Sequence, residues 1–191
     1  MIFSFCSVKT YGKITLLREK KVVSIDYNPV MENCEVNKMV IFHGSKNVVE
    51  KPEIRTARYY KDFYFGFYCT QYRTQAERWA LRYTGEGVVN EYEYTPNDNL
   101  NIKVFQEMTE EWLDFIVACR TGTPHSYDIV EGPMADDTIF NYVQDFLDGN
   151  ITRYAFWELA RFKKPTHQIS FHTEEALKTL RFLRGVKVHE E

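Results

Sequence analysis

Two spacings of apolar residues alternate along this chain, and each predicts its own kind of element. MVIFH, residues 39–43, is a continuous apolar run with β-branched members and predicts a buried strand. FYFGFYCT, residues 63–70, is aromatic and strand-like, broken at Gly66, where the backbone is expected to pass close to a neighbour. VVNEYEY, residues 88–94, alternates apolar and polar, as a strand with one wet face does. LNIKVF (100–105), SYDIVEG (126–132), HQISFHT (167–173) and RGVKVHE (184–190) complete the expected strands, with a turn at Gly132-Pro133.

Helical spacing with capping signals appears between them. Thr74 and Glu77 fit a capping box ahead of QAERWALRYT, which stops at Gly85. TEEWLDFIVACRTG, residues 109–122, carries a threonine cap, an acidic first turn, an arginine in the last turn and a closing glycine. TIFNYVQDFLDG and TRYAFWELARF predict two more helices, and Thr173-Glu-Glu-Ala a short one. Strands and helices mix without regular βαβ alternation, so the fold class is α+β. Before Lys38 the pattern offers one hairpin, KITLLREKKVVSIDY, and then a polar stretch. The expected organisation is an N-terminal extension or hairpin over 1–38, with Met31 and Met39 as alternative starts, and one domain over 39–191.

Composition narrows the function classes. Of 191 residues, 44% are hydrophobic and 16% aromatic, enough for a packed core rather than a disordered chain. A formal net charge of −3 argues against sequence-independent binding to phosphate backbones, though not against a nucleic acid held at a local site. Four scattered cysteines form no metal-like pattern, no apolar run is long enough for a membrane span and no signal peptide is apparent. The expectation is a soluble, cytoplasmic protein without a metal. Walker-type and dinucleotide glycine loops, H-E-x-x-H and G-x-S-x-G are missing.

What remains is IFHGSK, residues 41–46. A histidine at a strand end beside a turn glycine is commonly a satisfied structural histidine. The alternative is a ligand contact, in which Gly44 lets a flat ligand approach main-chain N–H and C=O groups that grip a carboxamide, while the His43 imidazole donates to a nearby hydroxyl. Tyr68, ahead of the Thr74 helix, is either a core aromatic or a stacking plate. Asp136 and Asp137 fit the first turn of a helix.

H-G-S at 43–45, D-F-x-x-G-F-Y-x-T at 62–70, Q-x-E-x-W-A at 75–80 and D-I-V-E-G-P-x-A-D-D at 128–137 together resemble the ADP-ribosyltransferase superfamily of the diphtheria-toxin and poly(ADP-ribose) polymerase type. More narrowly, they are similar to a family of uncharacterised bacterial domains assigned to that fold, over about Met39 to Val188. The resemblance implies a split, mainly antiparallel sheet with flanking helices, and NAD as substrate. It implies that His43 hydrogen-bonds the ribose, the Gly44 backbone holds the nicotinamide carboxamide and Tyr68 stacks on the ring. Thr74 stands either on the carboxamide or as a helix cap, and Ser45 either supports the turn or touches the ligand. Arg55 and Arg58 are either pyrophosphate contacts or solvated loop charges.

Two positions depart from the family pattern. Tyr64 stands where D-F-G would have glycine. At the third catalytic strand the counterpart of the usual glutamate is Gln168, which orients a ribose hydroxyl but offers no full charge to a ribosyl cation. Glu131, at the end of the DIV strand, is the candidate to supply that carboxylate or to meet the target. The resemblance thus implies NAD-dependent mono-ADP-ribosylation of a macromolecular acceptor, protein or nucleic acid, in a toxin or effector with a neutralising antitoxin partner. The alternatives are a non-catalytic NAD or ADP-ribose binding module and an interaction protein.

Overall fold

The computed structural model describes residues 38–56, 61–82, 85–135, 137–160 and 166–190. The expected hairpin before Lys38, Arg58 and Asp136 lie outside the described residues. The compact unit that runs from Val36 to Glu191 is an α+β fold with mainly antiparallel sheets and flanking helices. Its strands are β1 (Met39–Ser45), β2 (Phe67–Cys69), β3 (Glu86–Tyr94), β4 (Ile102–Val104), β5 (Ile129–Met134), β6 (Thr166–Phe171) and β7 (Leu180–His189). Its helices are α1 (Arg73–Leu81), α2 (Glu110–Arg120), α3 (Asp137–Leu147), α4 (Arg153–Ala160) and α5 (Glu174–Leu177).

The strands form two sheets, one ordered β1-β3-β7 and the other β2-β6-β5-β4. Every pairing is antiparallel except β4 with β5. Among the described residues the sheets are bridged edge to edge where Phe42 and Thr70 exchange both backbone hydrogen bonds at 2.8 Å. Beyond that bridge β1 and β2 part.

Alternation along each strand sorts the side chains into layers. Ile41, Tyr92 and Tyr94 of the first sheet meet Phe67, Ile129, Ile169 and Phe171 of the second in one core. The opposite face of the first sheet carries Val89 against Ala76 and Ala80 of α1. The opposite face of the second packs Val130 against Trp112, Leu113, Ile139 and Phe156 of α2, α3 and α4. Each fully buried large side chain there contributes about 1.5–3 kcal/mol by leaving water. Trp112, with no exposed surface, also donates its indole N–H to the Pro133 carbonyl at 2.9 Å.

Several sequence signals act as expected. Thr109 caps α2 by accepting the Trp112 N–H at 3.2 Å, with Glu110 and Glu111 in the first turn. Thr173 caps α5 in the same way, and Gly149 closes α3 at φ +75°. Others do not. Thr74 is not the cap of α1: that position falls on Tyr72, without a side-chain bond, and Thr74 is exposed inside the first turn. Glu77 reaches Arg73 rather than back to a cap.

Gly132-Pro133 is no turn either, because β5 runs through it to Met134. Glu131 accepts the Phe105 N–H from the β4 side, and Pro133, two residues on, directs its donor-less nitrogen to the same side. β4 has already ended at Val104, so the missing N–H leaves no ladder bond unmade.

Candidate functional site

The residues of HGS sit at the parting of the two sheets. His43 shares the inner face of β1 with Ile41, and its ring lies 4.5 Å from that of Phe67. Its Nδ1 is 2.6 Å from the Tyr68 carbonyl oxygen. A carbonyl only accepts, so Nδ1 carries the proton, and a neutral ring then keeps Nε2 bare. Burial, aided by the charges of Lys61 and Arg55 and opposed by the carbonyl bond, pushes the His43 pKa from 6.5 down to about 4. The imidazole is therefore neutral at pH 7. Toward a ligand Nε2 accepts a hydrogen bond rather than donating one, the reverse of the expected direction.

Gly44 carries two consequences of its place. A Cβ there would stand 2.0 Å from the Ala76 carbonyl oxygen, so only glycine lets α1 lie this close to β1. Gly87 does the same on β3, where a Cβ would meet Ala80 O at 2.4 Å. The backbone of Gly44 points elsewhere. Phe42 turns its N–H and C=O toward β2, and two residues on, Gly44 turns its own to the same edge, past the last bridge. Across that gap stands Tyr68, whose carbonyl is already taken by His43. The result is a main-chain donor and acceptor on an open strand edge beside a bare imidazole nitrogen.

The turn after β1 is held by a residue the sequence did not flag. Asn90, wholly buried on β3, accepts the Val49 N–H at 2.7 Å and donates to Ser45 Oγ at 2.9 Å. Ser45 donates in turn to the Asn47 carbonyl at 2.6 Å, a supporting role. A polar residue in an alternating strand reads as the wet face, which is why Asn90 escaped notice.

Tyr68 is anchored by its far end. Its hydroxyl donates to the Tyr64 carbonyl at 2.6 Å and accepts the Phe63 N–H at 3.2 Å. Burial raises its pKa well above the usual tyrosine range, so the phenol stays protonated. Tyr64 adopts φ +70°, the left-handed conformation that glycine takes without strain, so the turn keeps its course with a tyrosine there. Two histidines clamp this turn: His172 Nδ1 lies 2.7 Å from the Phe65 carbonyl and His125 Nε2 lies 3.1 Å from that of Phe63. Gly66 brings the turn against His172, which a Cβ would meet at 2.9 Å.

His43, Phe67 and Tyr68 line a cleft of about 120 Å³, with Val49 and Gly66. Pockets that enclose a drug-sized ligand run to roughly 300–1,000 Å³, so this one is too small to enclose a whole ligand of that size. Its charged lining is Glu53, Arg55 and Lys61. The Lys61 ammonium lies 4.5 Å from the centre of the Tyr68 ring.

The other expected site residues stand apart. Gln168 is buried, donating to Asp62 Oδ2 at 3.2 Å and to the Pro133 carbonyl at 3.4 Å. Asp62 is the centre of a buried network: its Oδ1 accepts Arg120 Nη2 at 2.6 Å and its Oδ2 accepts the Ala135 N–H at 2.8 Å. Glu131 accepts from His167 Nε2 at 3.0 Å. In the β5–β6 register Glu131 opposes Ile169 while Gln168 opposes Gly132, so the two side chains leave opposite faces of the sheet. Neither is among the described residues that line the cleft, and Thr74 is not among them.

Asp128 caps structure rather than a site, accepting from Thr173 Oγ1 at 2.7 Å and the Asn101 N–H at 2.9 Å. Among the described residues no group of His, Cys, Asp and Glu is placed to hold a metal ion, and no helix is long and apolar enough to cross a membrane. No curated protein matches the sequence. A family model described as a protein of unknown function (DUF3990) matches residues 39–182, which hold β1 through α5 and the cleft, and the chain belongs to that family.

Proposed function

We propose that the cleft binds the nicotinamide end of NAD and that the protein is a mono-ADP-ribosyltransferase with an ADP-ribosyltransferase-like fold. The observation that carries this reading is the open edge at the β1–β2 parting, where His43 and Tyr68 line the cleft and the Gly44 main chain, next to His43 on β1 though not among the described lining residues, turns to the same edge. A carboxamide needs one acceptor and one donor side by side, which the Gly44 N–H and C=O supply. A ribose hydroxyl donates to His43 Nε2. The aromatic ring of Tyr68 offers the stacking surface once the Lys61 ammonium over it, 4.5 Å from the ring centre, moves aside. In the reaction the bond between the ribosyl carbon and the pyridine nitrogen breaks, and nicotinamide leaves with the electron pair. A nucleophile of the macromolecular acceptor then bonds to that carbon and gives up its proton. The acceptor is a protein or a nucleic acid, and a cytoplasmic toxin or effector with a neutralising antitoxin is the setting that the family resemblance suggests.

A second reading is a non-catalytic NAD or ADP-ribose binding module. It draws support from the engagement of Gln168 and Glu131 on opposite faces of the sheet, away from the cleft lining. Incubating the protein with labelled NAD and a cell lysate, beside His43→Ala, separates the two. Label transfer that His43→Ala abolishes is expected of the enzyme. NAD binding without transfer identifies the binding module, and no NAD binding overturns both.

A further inference from the structure

Lys61 is the unspent charge of the cleft. Its ammonium rests on the Tyr68 ring and makes no ion pair with any described residue. Asp62, its neighbour in sequence, has both oxygens engaged by Arg120, the Ala135 N–H and Gln168. Arg55, on the same cleft and bridged through its backbone to Gly66, adds a second cation without an ion pair to a described residue. Burial and the Arg55 charge lower the Lys61 pKa, and the Asp62 charge opposes them without an ion pair between the two side chains. Glu53 is the carboxylate among the described lining residues, against those two cations.

We propose that Lys61 makes the cleft select its ring ligand by charge, accepting anionic and neutral pyridine-3-carboxyl compounds and disfavouring a fixed pyridinium while the lysine lies on Tyr68. The inference deepens the nicotinamide reading above and rests on it. A ring that stacks on Tyr68 enters the space beside the ammonium. A carboxylate on that ring gains an ion pair with Lys61 or Arg55, whereas a pyridinium meets the Lys61 ammonium, 4.5 Å from the Tyr68 ring centre, with the Arg55 charge on the same lining. The Tyr68 face then opens to the oxidised dinucleotide only when Lys61 swings away, and the diphosphate of the same molecule is the anion that can hold it there.

The test titrates the full-length protein with nicotinate, nicotinamide and 1-methylnicotinamide by calorimetry. The same titrations are run on Lys61→Met, which keeps an unbranched apolar stem, and Lys61→Arg, which keeps the charge. The wild type is expected to bind nicotinate about tenfold or more tighter than 1-methylnicotinamide, the order set by one partly screened charge contact. Lys61→Met should shrink that ratio by about tenfold and Lys61→Arg should preserve it. Binding with an unchanged ratio in Lys61→Met overturns the inference alone. If no ring compound binds any of the three proteins, the inference falls together with the nicotinamide reading. Circular dichroism of each variant shows that it is folded before it is titrated.

Discussion

Replacing Arg120 with methionine should expose how much the fold depends on the buried ion pair it makes with Asp62. The Arg120 and Asp62 side chains are 5% and 9% exposed, and the guanidinium gives Asp62 Oδ1 two bonds, at 3.0 and 2.6 Å. It also donates to the Phe140 carbonyl at 3.2 Å and lies over the Phe140 ring. Removing one partner of a buried pair costs about 3–5 kcal/mol, because the other charge stays buried without compensation. Oδ2 retains the Ala135 N–H and the Gln168 amide, and methionine retains the stem, so the lower end, about 3 kcal/mol, is expected. For a domain of this size that corresponds to a fall in Tm of about 6–12 °C. Urea unfolding followed by tryptophan fluorescence measures it. Asp62→Asn together with Arg120→Met removes both charges and should recover at least about 1 kcal/mol relative to the sum of the single variants. A loss below about 1 kcal/mol for Arg120→Met, or strict additivity in the double variant, would refute the account of Asp62 as a charge neutralised mainly by Arg120.

Three further outcomes are expected. Gly44→Ala drives a methyl into the Ala76 carbonyl and, since backbone cannot swing aside, should cost about 1–3 kcal/mol or more by denaturant midpoint; a neutral result would mean that α1 is not seated on β1 as described. His43 and His172 are both held near pKa 4 against 6.5 when unfolded, so the unfolded chain binds protons first as pH falls. Stability should be level above about pH 6.5 and decline between 6.5 and 4, and Asn or Gln at both positions should flatten that slope in urea titrations against pH. Thr109→Ala should lose about 1 kcal/mol of cap stabilisation while Thr74→Ala stays within about 0.5, and equal losses would contradict the assignment of the two caps.

Local chemistry made part of this protein legible in its sequence. α2 follows from Thr109, the acidic first turn, apolar spacing and Gly122, because capping and periodicity act over neighbours along the chain. The strands at 39–45, 86–94 and 166–171 follow from alternation and β-branched runs for the same reason, and the absence of βαβ regularity set the α+β class. The tertiary structure alone decided the rest. A threonine followed by a glutamate reads as a capping box, yet α1 begins at Arg73, one residue ahead of Thr74. There Gln75 is tied to the β6 backbone through His167, which sets the start of the helix over its cap signal. Pro133 reads as a turn until β4 is seen to end before it. Gln168 and Glu131 look interchangeable as site residues in one dimension, and only the β5–β6 register sends them to opposite faces. The proton on His43 is assigned by a carbonyl 25 residues away, and Gly44 is required by a helix carbonyl 32 residues away. Pattern reports which faces are apolar; which strand edge stays open, and what charge stands beside it, depends on how distant segments meet.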